Sequence, residues 1–189
     1  MPEAAAWART LGGETPVAYR QWDIAFEETS SAQRQGLDYW RRLPEVGDST
    51  MPAVADFDLL EVPASILPTT HVIDVLDGGE DFRFRFWGSG FRNFLGYDGT
   101  GMSTRDLMPE DIRDPVRAAY RHVMEARRPI AMLSEFERTG SYRQQGFQRF
   151  IRMPLAAPDG SVGRIVSLVE FLMDYHAAQK LIAEVANNA

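Results

Sequence analysis

Thr70-His71-Val72-Ile73-Asp74-Val75-Leu76, then Asp77-Gly78-Gly79-Glu80-Asp81, then Phe82-Arg83-Phe84-Arg85-Phe86-Trp87 is the stretch that decides the fold. The first segment is rich in β-branched residues and reads as a strand. The middle segment carries two glycines, which take the positive φ of a tight turn without strain. The last alternates apolar and basic residues, the period of a half-buried strand. Pairing Leu76 with Arg83 sets Asp74 opposite Arg85 and Val72 opposite Trp87. Asp74 and Arg85 then form a cross-strand ion pair on the outer face, worth about 0.2–1 kcal/mol. Ile73, Val75, Phe84 and Phe86 share the other face. Val72, Leu76 and Trp87 leave the outer face half apolar, and sheet surface of that kind needs a cover.

Working outward, Phe91-Arg92-Asn93-Phe94-Leu95 is a short helix stopped by Gly96, and a glycine-bearing loop follows at 97–101. Pro109 suits the first position of a longer helix, with Glu110 and Asp111 at its positive end. Ile112, Val116, Ala119, Tyr120 and Val123 line one face of that helix, and Arg127, Arg128 and Pro129 end it. Three strands follow, at about 130–137, 145–155 and 162–171. Pro158-Asp159-Gly160 is the turn between the last two. Asp174 caps a final helix over 175–185.

Upstream of the hairpin, Ser30 or Ser31 caps a helix running to about Leu43. Its Leu37–Trp40 face suits the outer side of the hairpin, in its own subunit or in a partner. Residues 1–28 contain Gly12-Gly13 and Pro16, which break any long helix. Trp7, Tyr19, Trp22, Ile24 and Phe26 make the segment too apolar for a free tail. It docks on its own domain or packs on a second subunit. The chain therefore divides into an extension with a helix (1–44), a connector (45–68), a core domain (69–173) and a C-terminal helix (174–189).

With 189 residues the chain is long enough for one compact domain with extensions. A net charge of −7 argues against general binding to nucleic acid or anionic membrane. The absence of cysteine excludes disulfides, thiolate metal sites and cysteine nucleophiles. No secretory signal or bilayer-spanning apolar run is visible, so a cytoplasmic location is expected. No phosphate-cradling glycine loop occurs, and Gly88-Ser89-Gly90 lacks the third glycine of a dinucleotide fingerprint. No local signature ties a serine to a base, so an enzyme is not expected.

The pieces together resemble a PAS domain, and from about Leu37 onward the chain is similar to the stand-alone PAS-type proteins common in alpha-proteobacteria. The resemblance rests on Leu37-Asp38-Tyr39-Trp40-Arg41-Arg42-Leu43, the connector Met51-Pro52 through Asp56-Phe57-Asp58, the hairpin, and Leu95-Gly96-Tyr97-Asp98-Gly99-Thr100-Gly101. Tyr120 through Pro129 and Met153-Pro154-Leu155 complete it. It implies an α+β fold with a five-stranded antiparallel sheet in the order 2-1-5-4-3 and helices on one face, here with an N-terminal helical extension. It also implies sensing, ligand binding or protein interaction in signal transduction. At the family's Asp-Ile/Val-Thr junction this chain has Asp174-Tyr175-His176, keeping only the aspartate.

No cofactor is expected. The cysteine that flavin and chromophore-binding relatives use is missing, and the position of the haem ligand in oxygen-sensing kinases is occupied by Val116. Haem and non-covalent flavin are both disfavoured. The three histidines show no metal-ligand spacing, so no metal site is expected. His71 shares strand parity with Ile73 and Val75, which makes it a core histidine with a hydrogen-bond partner. A ligand pocket is expected between the long helix and the sheet, lined by Ile73, Phe84, Phe86, Phe94, Val116, Tyr120, Val123 and Ile151. Arg149 joins the parity of Phe147, Ile151 and Met153. If that face is inward, Arg149 needs a counter-charge, either Glu135 or Glu137 or an anionic ligand. The expected partners are a second copy of the chain, a small-molecule ligand and a signalling protein, with no nucleic acid and no membrane.

Overall fold

The computed structural model describes residues 17–47, 49–107, 110–138 and 144–186. Six strands make one antiparallel sheet: β1 (Val17–Ile24), β2 (Thr70–Leu76), β3 (Asp81–Trp87), β4 (Ile130–Arg138), β5 (Gln144–Ala156) and β6 (Val162–Phe171). Their order across the sheet is β1-β4-β5-β6-β2-β3. This corrects the expected five strands. The extension supplies a strand that pairs with β4, from Val17 opposite Arg138 to Ile24 opposite Ala131.

The helices are α1 (Ser31–Arg42), α2 (Ser89–Leu95), α3 (Arg113–Ala126) and α4 (Tyr175–Ala186). α1 begins with a capping box. Ser30 Oγ accepts from the Gln33 backbone N–H, and the Gln33 side chain accepts from the Ser30 backbone N–H. α3 starts at Arg113 after a 3-10 turn over Glu110–Ile112, and Arg127 ends it in the left-handed region. Pro109, the expected first residue of this helix, lies outside the described residues. Asp174 caps α4, its carboxylate accepting from the Ala177 N–H at 3.0 Å.

Helices cover both faces rather than one. α3 packs on the face that carries His71, Phe82 and Arg152. On the opposite face Gly36 of α1 sits against Leu168, and Trp40 Nε1 donates to the Pro154 carbonyl at 2.9 Å. The Gln33 side chain reaches down to donate to the Arg149 and Leu168 carbonyls at 3.0 and 2.9 Å. The chain's own helix thus covers β5 and β6 on that face, rather than the outer side of the hairpin for which its Leu37–Trp40 face was expected. Burying Leu37 and Trp40 there contributes roughly 1.5–3 kcal/mol each. Tyr175 of α4 meets Phe147 on the same face.

The hairpin departs from its expected register. Leu76 pairs with Asp81, Asp74 with Arg83 and Ile73 with Phe84. A bulge then lets Val72 face Phe86 and His71 face Trp87. The shift near the turn is two residues, so face parity survives and Asp74 still binds Arg85, at 2.8 and 3.0 Å. Arg164 of β6 donates to the same carboxylate at 2.8 Å. Desolvation raises the Asp74 pKa, but the hydrogen bonds and charges of the two arginines outweigh it and hold the group below the usual carboxylate range.

Candidate functional site

The chemistry lies on the sheet face beneath α3. The bulge in β3 turns Trp87 inward, where it stacks at 6.0 Å on His71 and meets Phe84 edge-on at 4.6 Å. Phe86 goes to the other face beside Val72, so it is removed from the expected pocket. The parity of β5 is also the reverse of that expected. Phe150 and Arg152 face α3, while Arg149, Ile151 and Met153 lie under the α1 side. Arg149 pairs there with Glu170 at 2.8 Å and donates to the Glu28 carbonyl at 2.7 Å, while the Glu137 side chain lies outside the described part of the structure. Ile73, Phe84, Tyr120 and Val123 do come together on the α3 side, and Val116 packs half-buried against the core. Phe94 belongs to α2, but its side chain lies outside the described part of the structure.

A polar row crosses this apolar interior. Arg152 of β5 pairs with Ser167 of β6, Ser167 with His71 of β2, and His71 with Trp87 of β3. Directly opposed residues of neighbouring strands point to one face, so the four side chains stand side by side. Each has a buried polar atom without a hydrogen-bond partner: Arg152 Nε, Ser167 Oγ, His71 Nδ1 and Trp87 Nε1. On the same face, four residues along β4 from the Ile130 that opposes Arg152, Ser134 pairs with Gln21, and Gln21 Nε2 and Ser134 Oγ are unpartnered too.

Tyr120 of α3 closes over the row. Its hydroxyl and His71 Nε2 are hydrogen-bonded at 2.7 Å. The Arg152 guanidinium lies over the Tyr120 ring at 4.2 Å and the Phe150 ring at 4.4 Å, with Nη1 3.9 Å from Met132 Sδ. It is only 4 % exposed, and no ion pair reaches it among the described residues. Burial pushes the His71 pKa down to about 3, and the Arg152 charge acts in the same direction. Burial pushes Tyr120 up to about 12, with the Arg152 charge pulling the other way. At neutral pH both groups are uncharged, and the arginine carries the local charge.

A cleft of about 320 Å³ opens beside the row, between β1 and α3. Tyr19, Gln21, Asp23 and Met132 form its sheet wall, and Pro115, Ala118, Ala119 and His122 its helix wall. Asp23 Oδ2 and His122 Nε2 meet at 2.9 Å. Met132 both lines this cleft and touches Arg152, so one thioether side chain separates the opening from the buried guanidinium. None of the nine residues expected to bind ligand lines the described cleft. Its sheet wall comes mostly from β1, the strand that the sequence reading did not recognise.

A family model described as "PAS fold" matches residues 70–170. No curated protein matches the chain. Among solved structures, an RNA-binding light-oxygen-voltage receptor is similar at 13 % identity with a TM-score of 0.43, over 93 % of this chain. The chain spans 44 % of the length of that receptor. The dark structure of the blue-light photoreceptor Aureochrome1 LOV is similar at 15 % identity and TM-score 0.47, over 78 % of this chain and 100 % of the other. A sensory box histidine kinase/response regulator from Burkholderia thailandensis E264 is similar at 14 % identity and TM-score 0.40, over 69 % and 97 %. The family match runs from the first residue of β2 to the penultimate residue of β6 and takes in the whole polar row, and on that ground the chain belongs to the PAS-fold family.

Proposed function

We propose that this PAS domain is a non-catalytic sensory module that takes a small molecule between α3 and the sheet and reports its occupancy to a signalling partner in the cytoplasm. The observation that carries the reading is the cross-strand row of unpartnered buried polar atoms. A buried polar group without a partner costs about 1–3 kcal/mol, and the unpartnered atoms of this row call for partners from a bound molecule or from ordered water. A bound molecule with matching groups relieves that cost. The cleft beside the row gives the route, and its volume of about 320 Å³ suits a compact metabolite.

Native mass spectrometry of the full chain, purified without added ligand, tests this reading. The expected spectrum carries a non-covalent adduct of about 100–300 Da, the size such a cleft accommodates. The adduct disappears on denaturation. A bare polypeptide mass, together with no thermal stabilisation by any of a set of small acids and amides, would refute it.

Homodimerisation is a second reading with one observation in its favour. β1 ends the sheet, and its outer edge pairs with no other described strand. Light scattering across a concentration series tests it, and a constant monomer mass counts against it.

A further inference from the structure

We infer that the molecule taken by this site is a small monocarboxylate with an apolar body, its carboxylate held by Arg152. The inference rests on the sensory reading above and names the ligand's chemical class.

The first argument is charge. Arg152 stands among Tyr120, Phe150 and Met132, three side chains that carry no negative charge. The acids elsewhere have partners of their own. Asp81 accepts from Ser103 and Thr104 and lies 3.5 Å from Arg105. Asp74 holds Arg85 and Arg164, and Glu170 holds Arg149. Glu135 binds Arg20 on the opposite face. A buried charge without a counter-charge is costly, and an anion that enters removes the cost.

The second argument is the hydrogen-bond inventory. Arg152 Nε is a donor only, and it is buried without a partner. An ionised carboxylate only accepts, and its two oxygens match the planar fork of a guanidinium. An amide or alcohol of the same shape brings donors of its own and no charge.

The third argument is the path. The helix wall of the cleft is made mainly of Pro115, Ala118 and Ala119, which suits an apolar body. Asp23 at the same opening disfavours a second negative charge, which excludes dicarboxylates. Met132 is unbranched with three rotatable side-chain bonds, so it swings aside to let a carboxylate through to Arg152.

Isothermal titration of the full chain with hexanoate, benzoate and phenylacetate, each against its primary amide, tests the inference. The expected result is saturable binding of at least one acid, with its amide at least about tenfold weaker, and succinate without effect. Arg152→Gln abolishes the preference for acid over amide. Should that variant fail to fold, Ala118→Phe blocks the opening from an exposed helix position and abolishes acid binding in a folded protein. Amides that bind as well as acids would overturn the inference while leaving the sensory reading intact. Acid binding that survives Ala118→Phe unchanged would overturn the placement. No acid binding at all, beside a native adduct that proves neutral, would overturn the ligand class. No binding of either kind and no adduct would remove the sensory reading itself.

Discussion

Replacing His71 by glutamine and comparing stability at pH 7.5 and pH 5.0 tests the buried environment of the polar row. In the unfolded chain the histidine titrates near its ordinary value of 6.5, and in the folded protein burial holds it down to about 3. Between those values the unfolded state binds a proton that the folded state refuses, so stability is complete above pH 6.5 and falls as the pH drops. The slope is about 1.4 kcal/mol per pH unit. At pH 5.0, about 1.5 units below the unfolded value, His71 should have removed about 2 kcal/mol. The glutamine variant has no such proton. It loses the ring contacts with Phe84, Trp87 and Phe91, but that loss does not depend on pH. Every other group is common to both proteins, so its contribution cancels in the comparison. Urea denaturation at the two pH values should therefore show the gap between wild type and His71→Gln shifting by about 2 kcal/mol against wild type. A shift below about 0.5 kcal/mol would refute the argument, because it would mean that His71 protonates in the folded state at little cost.

Two further outcomes follow from geometry. Asp74→Ala removes the carboxylate that Arg85 and Arg164 share at 2.8 Å, which should cost about 1 kcal/mol at low salt. Denaturation in 0.5 M NaCl should shrink that cost, and a salt-independent loss would point to packing instead. Gly88→Ala directs a new Cβ at the Pro68 carbonyl, a backbone group that cannot rotate away. It should destabilise by about 1–3 kcal/mol, checked by thermal denaturation, and an unchanged Tm would contradict the close approach of the two segments.

The order of elements after Thr69 was legible because each boundary has a local cause. The Ser30–Gln33 capping box, the left-handed Gly96 after α2, the turn around Gly160 and the Asp174 cap all act through neighbours in sequence. The Asp74–Arg85 pair was legible for the same reason, since a shift of two residues preserves parity. Which face of β5 looks inward was not legible. Both faces of the sheet are covered by helices, so Ile151 and Met153 on one side and Phe150 on the other are equally buried. Alternation then separates two sets without saying which is which. An arginine at position 149 and another at 152 made the choice harder, and the polar residues His71 and Ser167 were the signal that Arg152 completes their row. β1 escaped because Tyr19 faces the cleft while Trp22 and Ile24 share the other side, which blurs the period over a short strand. Only the alternation in Trp22-Asp23-Ile24 hinted at it.

The bulge in β3 has a consequence for changes in chain length. Phe84 pairs with Ile73 and Phe86 with Val72, so the ladder passes over Arg85. Deleting Arg85 would leave Phe84, Phe86 and Trp87 as consecutive residues of a regular strand, each still opposite its present partner. The loss would be the ion pair with Asp74. Deleting Phe84 instead would also keep Asp81, Phe82 and Arg83 opposite their partners, but it would set Arg85 opposite Ile73, where the Phe84 ring meets His71 and Trp87, and so bring a charge into the apolar interior. Within one short strand, then, the bulge absorbs either loss without moving the remaining register, and what separates the two is whether an arginine leaves the surface or enters the interior.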